Sequence, residues 1–273
     1  MNVKAILREY RKGTRPDSIF MKGCMDMYRV SGDPLYRDEV LNAVNTMVST
    51  DGELNVQEPV KTMLSCGKAL LFAYDQTGEE RYKTAAGKLR EALRKTDLST
   101  AWDLYLICPF IAEYDTRFMD KQSYKAIARC FQTTVRAHSL PGEKEQCYML
   151  MALVDTIEQM DIQLYEHHRV LADLLLEIAR KLVPYWQERF TLFAKETEKP
   201  NETEMESCLM TAYSVLKGVR LGLLDDEKYL PAIGYMVYAM EYVGGSHIAF
   251  REFPARPGLG LMLQAEMEEA GER

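Results

Sequence analysis

The sequence is short of the residues that divide, staple or anchor a chain. No run of glycine, serine or proline forms a linker in its 273 residues, so residues 1–273 read as a single domain. β-Branched runs are few, and no Asn-Gly or Asp-Gly turn sits between such runs, which argues against a sheet. No apolar stretch reaches the length of a membrane helix. Met1 to Arg15 is charged and amphipathic without an apolar core, so no signal peptide is expected. These features imply a soluble, cytoplasmic protein with no membrane partner.

An excess of basic charge is also lacking. Lys and Arg number 34 against 41 Asp and Glu, a formal net charge of −7. That balance excludes a general nucleic-acid binder, although a local pocket can still be positive. The six cysteines contain no CxxC pair, and the expectation is buried free thiols rather than a disulfide or zinc framework. The four histidines make no ligand set. His167 and His168 are adjacent, pointing about 100° apart on a helix, and read as a surface pair. Gly244 to Arg251 is glycine-rich but lacks phosphate-loop spacing. No metal and no cofactor is expected.

What is abundant is helical periodicity, and it repeats. Ser31-Gly-Asp-Pro-Leu-Tyr36, Thr77-Gly-Glu-Glu-Arg-Tyr82, Asp120-Lys-Gln-Ser-Tyr124 and Asp225-Asp-Glu-Lys-Tyr229 share one pattern. Each is a turn, an acidic helix start, and a tyrosine that opens an apolar stripe. The first three tyrosines lie 46 and 42 residues apart, the length of a two-helix unit. The helix before each turn is the more apolar. The units run roughly 16–48, 60–95, 101–137, 144–183 and 203–241. An unpartnered amphipathic helix near 2–12 and an apolar one near 258–270 complete a sixth pair. The pattern predicts an all-α ring of six hairpins, an (α/α)6 barrel, with the apolar helices inside and the helix at 2–12 beside that at 258–270. An open solenoid is the alternative.

In such a ring the inner helices start at one end. Their N-termini expose N–H groups and positive partial charge, which suit an anionic ligand. The segments entering them are the expected site, and three stand out. Ala101-Trp-Asp-Leu-Tyr105 sets Trp102 and Tyr105, flat apolar faces suited to sugar rings, beside Asp103; by itself it reads more readily as an Asp favouring its helix dipole with Trp102 in the core. Asn201 to Ser207 carries Glu202, Glu204 and Glu206, which capping and the helix dipole explain adequately. Gly244 to Arg251 is the third.

These stretches, in this order, resemble the unsaturated glucuronyl and rhamnogalacturonyl hydrolases, glycoside hydrolase families 88 and 105. The resemblance runs through Gly67-Lys-Ala-Leu-Leu71, Tyr74 to Tyr82, Asp103 to Tyr114, Met151-Ala-Leu-Val-Asp155 and Leu216 to Gly222. It implies an (α/α)6 barrel and a small uronic oligosaccharide as substrate. It also implies one carboxylic acid that protonates a C4=C5 double bond and then activates water for addition at C5, unlike the two-carboxylate glycosidases. The family's Trp-x-Asp-(Gly or Asp)-Leu-Tyr pattern is shifted here. Aligned on Leu104-Tyr105, its Asp falls on Trp102, and Asp103 takes the next position. A second family Asp falls near Thr62. Lys144 and Tyr148 stand where the family has Arg and Trp. The expected site is therefore Asp103 as acid, with Trp102, Tyr105, Lys144, Tyr148, Glu204 and Glu58 binding substrate at the mouth of the ring. The competing expectation is a catalytically degenerate relative that binds a glycan or a partner protein.

Overall fold

The computed structural model describes residues 18–55, 66–96, 98–137, 144–194, 200–241 and 257–271; side chains of 193, 194, 238–241 and 257 are not described. Glu58, Thr62, the expected helix at 2–12 and the loop from Gly244 to Arg251 lie outside these residues.

Eleven helices are described: α1 (Ser18–Ser31), α2 (Pro34–Met47), α3 (Gly67–Thr77), α4 (Glu80–Leu93), α5 (Ala101–Phe118), α6 (Tyr124–Ala137), α7 (Lys144–Gln159), α8 (Tyr165–Ala194), α9 (Glu202–Arg220), α10 (Asp226–Glu241) and α11 (Pro257–Gly271). The odd-numbered helices pack each on the next, and α11 packs back on α1, so the inner ring is closed. The even-numbered helices lie against them as an outer layer. The protein is an all-α (α/α)6 barrel.

The local sequence explains the order. α7 and α9 are buried almost throughout, with Cys147 through Ile157 and Met205 through Gly218 removed from solvent, because each faces the barrel axis on one side and an outer helix on the other. Tyr36, Tyr82, Tyr124 and Tyr229, the repeated tyrosines, are all buried and wedge outer helices onto inner ones. α8 breaks the pattern: its opening residue, Tyr165, is 58% exposed. None of the six cysteines is in a disulfide, and all but Cys130 are buried.

Two features hold the geometry. Ring closure brings backbones close enough that a Cβ built on Gly258 would lie 2.5 Å from the Ile19 carbonyl. Between α4 and α5, the buried guanidinium of Arg90 grips Asp115 through Nε at 2.8 Å and Nη2 at 3.1 Å. The same carboxylate accepts the Ser123 N–H at 2.9 Å. That fixes the turn in which Asp120 and Lys121 have φ of 47° and 63°, in the left-handed region.

One expected boundary is corrected. The fourth unit does not end at 183; α8 runs through Pro184 to Ala194. A proline inside a helix removes one hydrogen bond and is a sound sequence signal for a break. Here Leu182, Trp186 and Phe190 form one buried stripe at spacing four, and burial of two large aromatic side chains outweighs the lost bond.

Candidate active site

The inner helices α5, α7 and α9 start together at one end of the ring, and their first turns are tied to each other. The Ala101 N–H donates to Glu145 Oε2 at 3.0 Å, joining α5 to α7. Lys144 Nζ lies 2.5 Å from Glu206 Oε2, joining α7 to α9. Three aromatic rings sit beside these ties. Trp102 lies 5.7 Å from Tyr105 and 4.9 Å from Tyr148, the second pair edge-to-face at 62°. Lys144 Nζ is 5.9 Å from the Tyr148 ring centre, within cation–π range. Trp102 is partly exposed, whereas Tyr105 and Tyr148 are buried. This is an apolar platform edged by a cation, at the end where helix dipoles favour anions.

Asp103 has a different local role. Thr100 caps α5: its hydroxyl accepts the Asp103 N–H at 3.1 Å, and Asp103 Oδ2 accepts the Thr100 N–H at 3.3 Å, completing a capping box. Asp103 is buried. The face of α5 that lines the barrel axis is Tyr105, Leu106 and Pro109. Trp102 lies one turn before them on that stripe, and Asp103 is rotated from it by about 100°.

Glu204 also caps. It accepts the Asn201 N–H at 2.9 Å while Asn201 accepts the Glu204 N–H at 3.0 Å, and Arg189 of α8 holds it at 2.8–2.9 Å. The carboxylate that reaches the platform's lysine is Glu206, two residues on. The structure thus brings Trp102, Tyr105, Tyr148 and Lys144 together, with Glu206 as the member not singled out from sequence.

Further along the inner helices lies a buried network of charge. Lys217 Nζ lies 2.6 Å from both Asp155 Oδ1 and Glu158 Oε2, and Tyr213 donates to Asp155 Oδ1 at 2.6 Å. Lys22 pairs with Asp26 and reaches the Tyr213 hydroxyl at 3.3 Å. Arg220 joins Glu158 at 2.7 Å and Glu266 at 2.7 Å. Burial works to raise the Asp155 carboxyl, but Lys217, Lys22 and Lys68 hold it below its ordinary value. Burial pushes the Lys22 ammonium down against the pull of Asp26, and Lys217 and Lys68 add to the fall. Among the described residues no cluster of metal-ligating side chains occurs, and no helix is long and apolar enough to cross a membrane.

A closed ring of six inner helices, five of them followed by a described outer helix, with an aromatic, cation-edged mouth defines the class: an (α/α)6 barrel. Known proteins agree. Residues 9–143 match the family model for Glycosyl Hydrolase Family 88. A family 105 glycoside hydrolase from C. acetobutylicum ATCC 824 shares the fold at a TM-score of 0.77 and 18% identity, covering 99% of both chains. A family 88 glycosyl hydrolase from Bacteroides vulgatus does so at 0.73 and 11%, covering 98% of this chain and 99% of its own. A polysaccharide lyase matches at 0.71 and 13%, over 99% of this chain and 95% of its own; one scaffold here carries two chemistries, and the site must decide between them. The chain is thus similar to glycosyl hydrolase family 88 over residues 9–143 and shares its fold with solved structures of families 88 and 105.

Proposed function

We propose that this chain hydrolyses a small oligosaccharide ending in an unsaturated uronic residue, glucuronyl or rhamnogalacturonyl. The observation that carries this reading is the Trp102–Tyr105–Tyr148 platform with Lys144 at its edge. A pyranose ring stacks on the exposed part of Trp102, which the buried Tyr105 and Tyr148 rings hold in place, and its carboxylate meets the Lys144 ammonium, exchanging with Glu206. Asp103 is the proposed general acid. Its proton goes to C4 of the double bond, and the carboxylate then takes a proton from the water that adds at C5; the C5 hemiketal opens to a ketone, its ring oxygen becoming a hydroxyl on C1, and the hemiacetal so formed at C1 releases the rest of the chain as an alcohol, leaving an aldehyde. To act, Asp103 must leave the Thr100 amide, a cap contact worth about 1 kcal/mol and already long at 3.3 Å.

A second reading, glycan binding without turnover, has its own support. The residue on the axis-facing stripe of α5 is Trp102, where the resembled family has its acid, and Asp103 is engaged in the cap.

Loss of ultraviolet absorbance from unsaturated disaccharides tests both. Asp103→Asn should lower turnover by about 10²–10⁴-fold with the fold intact, since an amide oxygen can still cap. Sugar binding by a wild type that shows no turnover would establish the second reading. Turnover that survives Asp103→Asn would remove Asp103 and direct attention to Glu204 and Glu58.

A further inference from the structure

The first turns of α5, α7 and α9 carry anions of their own. Lys144 and Arg189 are the cations in the described ties at the mouth, and Asp103, Glu145, Glu204 and Glu206 are the carboxylates set among them. A sugar carboxylate arriving there meets cations that are already paired and helix starts that are already capped.

The carboxylates differ in what they hold. Asp103 accepts the Thr100 N–H, Glu145 the Ala101 N–H and Glu204 the Asn201 N–H. Those donors are backbone groups at helix starts and stay in place. Glu206 holds Lys144 Nζ at 2.5 Å, an ammonium at the end of a flexible four-carbon stem. The Lys144 side chain is 34% exposed and that of Glu206 11%, so a ligand from solvent reaches the lysine first. Released from Glu206, the ammonium keeps a second hold in the Tyr148 ring, 5.9 Å from Nζ, whose face attracts a cation. Tyr148 packs in turn edge-to-face on Trp102. Lys144 can thus change its anionic partner without leaving the platform.

We propose that Glu206 is a specificity-determining residue, an internal competitor that occupies the lysine a uronate must use. The inference rests on the reading of the mouth as a site for an acidic sugar. One carboxylate replaces another on Lys144: that of the sugar enters from solvent, and that of Glu206 gives way. No ion pair is gained in the exchange, so the preference of this protein for a uronate over the neutral sugar of the same shape is small. A site that is competent for only a fraction of the time binds more weakly by that fraction, and here the fraction is the time Lys144 spends off Glu206. A sugar without a carboxylate leaves the pair intact, and its affinity does not depend on the charge at residue 206.

The test is sugar binding by calorimetry on the full chain, with glucuronate and glucose as probes. In Glu206→Gln, which keeps the shape and removes the charge, glucuronate should bind about fivefold or more tightly than in wild type. Glucose, with no charge to compete, should change by less than about twofold. In a Lys144→Met background the gain from Glu206→Gln should vanish, since the two residues act through one contact. Glu206→Asp, one methylene shorter, should show part of the gain, and it replaces Glu206→Gln if that variant does not fold. If wild type binds glucuronate and Glu206→Gln binds it equally or more weakly, or if glucose shares the gain, the competitor role is overturned and the sugar reading stands. Failure of both wild type and Glu206→Gln to bind glucuronate would overturn the acidic-sugar reading together with it.

Discussion

Lys217 Nζ lies 2.6 Å from Asp155 Oδ1, and neither side chain reaches solvent. The pair joins α9 to its ring neighbour α7, and Glu158 and Tyr213 complete its coordination. Two ions removed from water are tolerable only because each satisfies the other.

Removing one partner should therefore cost far more than a surface charge would. Lys217→Met leaves Asp155 and Glu158 without their common cation and should destabilise the fold by about 3–5 kcal/mol. Urea unfolding measures this through the midpoint. A loss below about 1 kcal/mol would show that water or Lys22 takes over the role. Lys181→Met, which breaks only the exposed pair with Glu177, is the control and should change stability by less than about 1 kcal/mol.

The same network sets an acid limb. Asp155 is held below the ordinary 3.8 and Glu158 well below the ordinary 4.5: burial opposes this in both, but Lys217, Lys22 and Lys68 prevail. On acidification the unfolded chain takes up these protons before the native state does. Their stabilisation is complete above the ordinary carboxylate values and disappears as pH falls through the folded ones. Glu266, raised by burial against the pull of Arg220 and Lys217, has the opposite sign and offsets part of the effect. The urea midpoint should stay level from about pH 7 to 5 and fall below about 4. In Lys217→Met the limb should be shallower. A wild-type midpoint that rises on going from pH 5 to 3 would contradict the assignment.

Two glycines should respond oppositely to alanine. A Cβ on Gly258 would sit 2.5 Å from backbone atoms of Ile19, which cannot move aside as a side-chain tip can. Gly258→Ala should push α11 from α1 and cost about 1–3 kcal/mol or more. Gly234, on an exposed stretch of α10, has nothing within 4 Å of its built Cβ. Gly234→Ala should gain about 0.5–1 kcal/mol from helix propensity and reduced unfolded-state entropy. Thermal melts of the two variants should move in opposite directions.

The sequence by itself determined the alternation of helices and which of each pair is inner, because hydrophobic periodicity and turn chemistry act within a few residues. The repeated tyrosines marked outer-helix starts, and Tyr36, Tyr82, Tyr124 and Tyr229 are buried as the pattern implies. The Thr100-x-x-Asp103 cap is legible for the same reason: it closes within one turn. The extension of α8 past 183 was not legible, because the packing of Trp186 and Phe190 that carries the helix through Pro184 lies outside any local window. At the mouth, three glutamates at alternate positions of α9 could each have faced Lys144, and successive ones differ by about 200° around the helix. Only the packing of α9 against α7 and α8 gave Glu206 to Lys144 and Glu204 to Arg189. The buried network was likewise beyond the sequence. Lys22, Lys68, Asp155 and Lys217 are separate charges in apolar stretches, and Lys217 stands 62 residues from Asp155. Lys22 pairs within its own helix with Asp26, which spacing four allows, but the partners of Lys68, Asp155 and Lys217 come from other helices, since a buried charge is stabilised by what stands within a few ångströms of it.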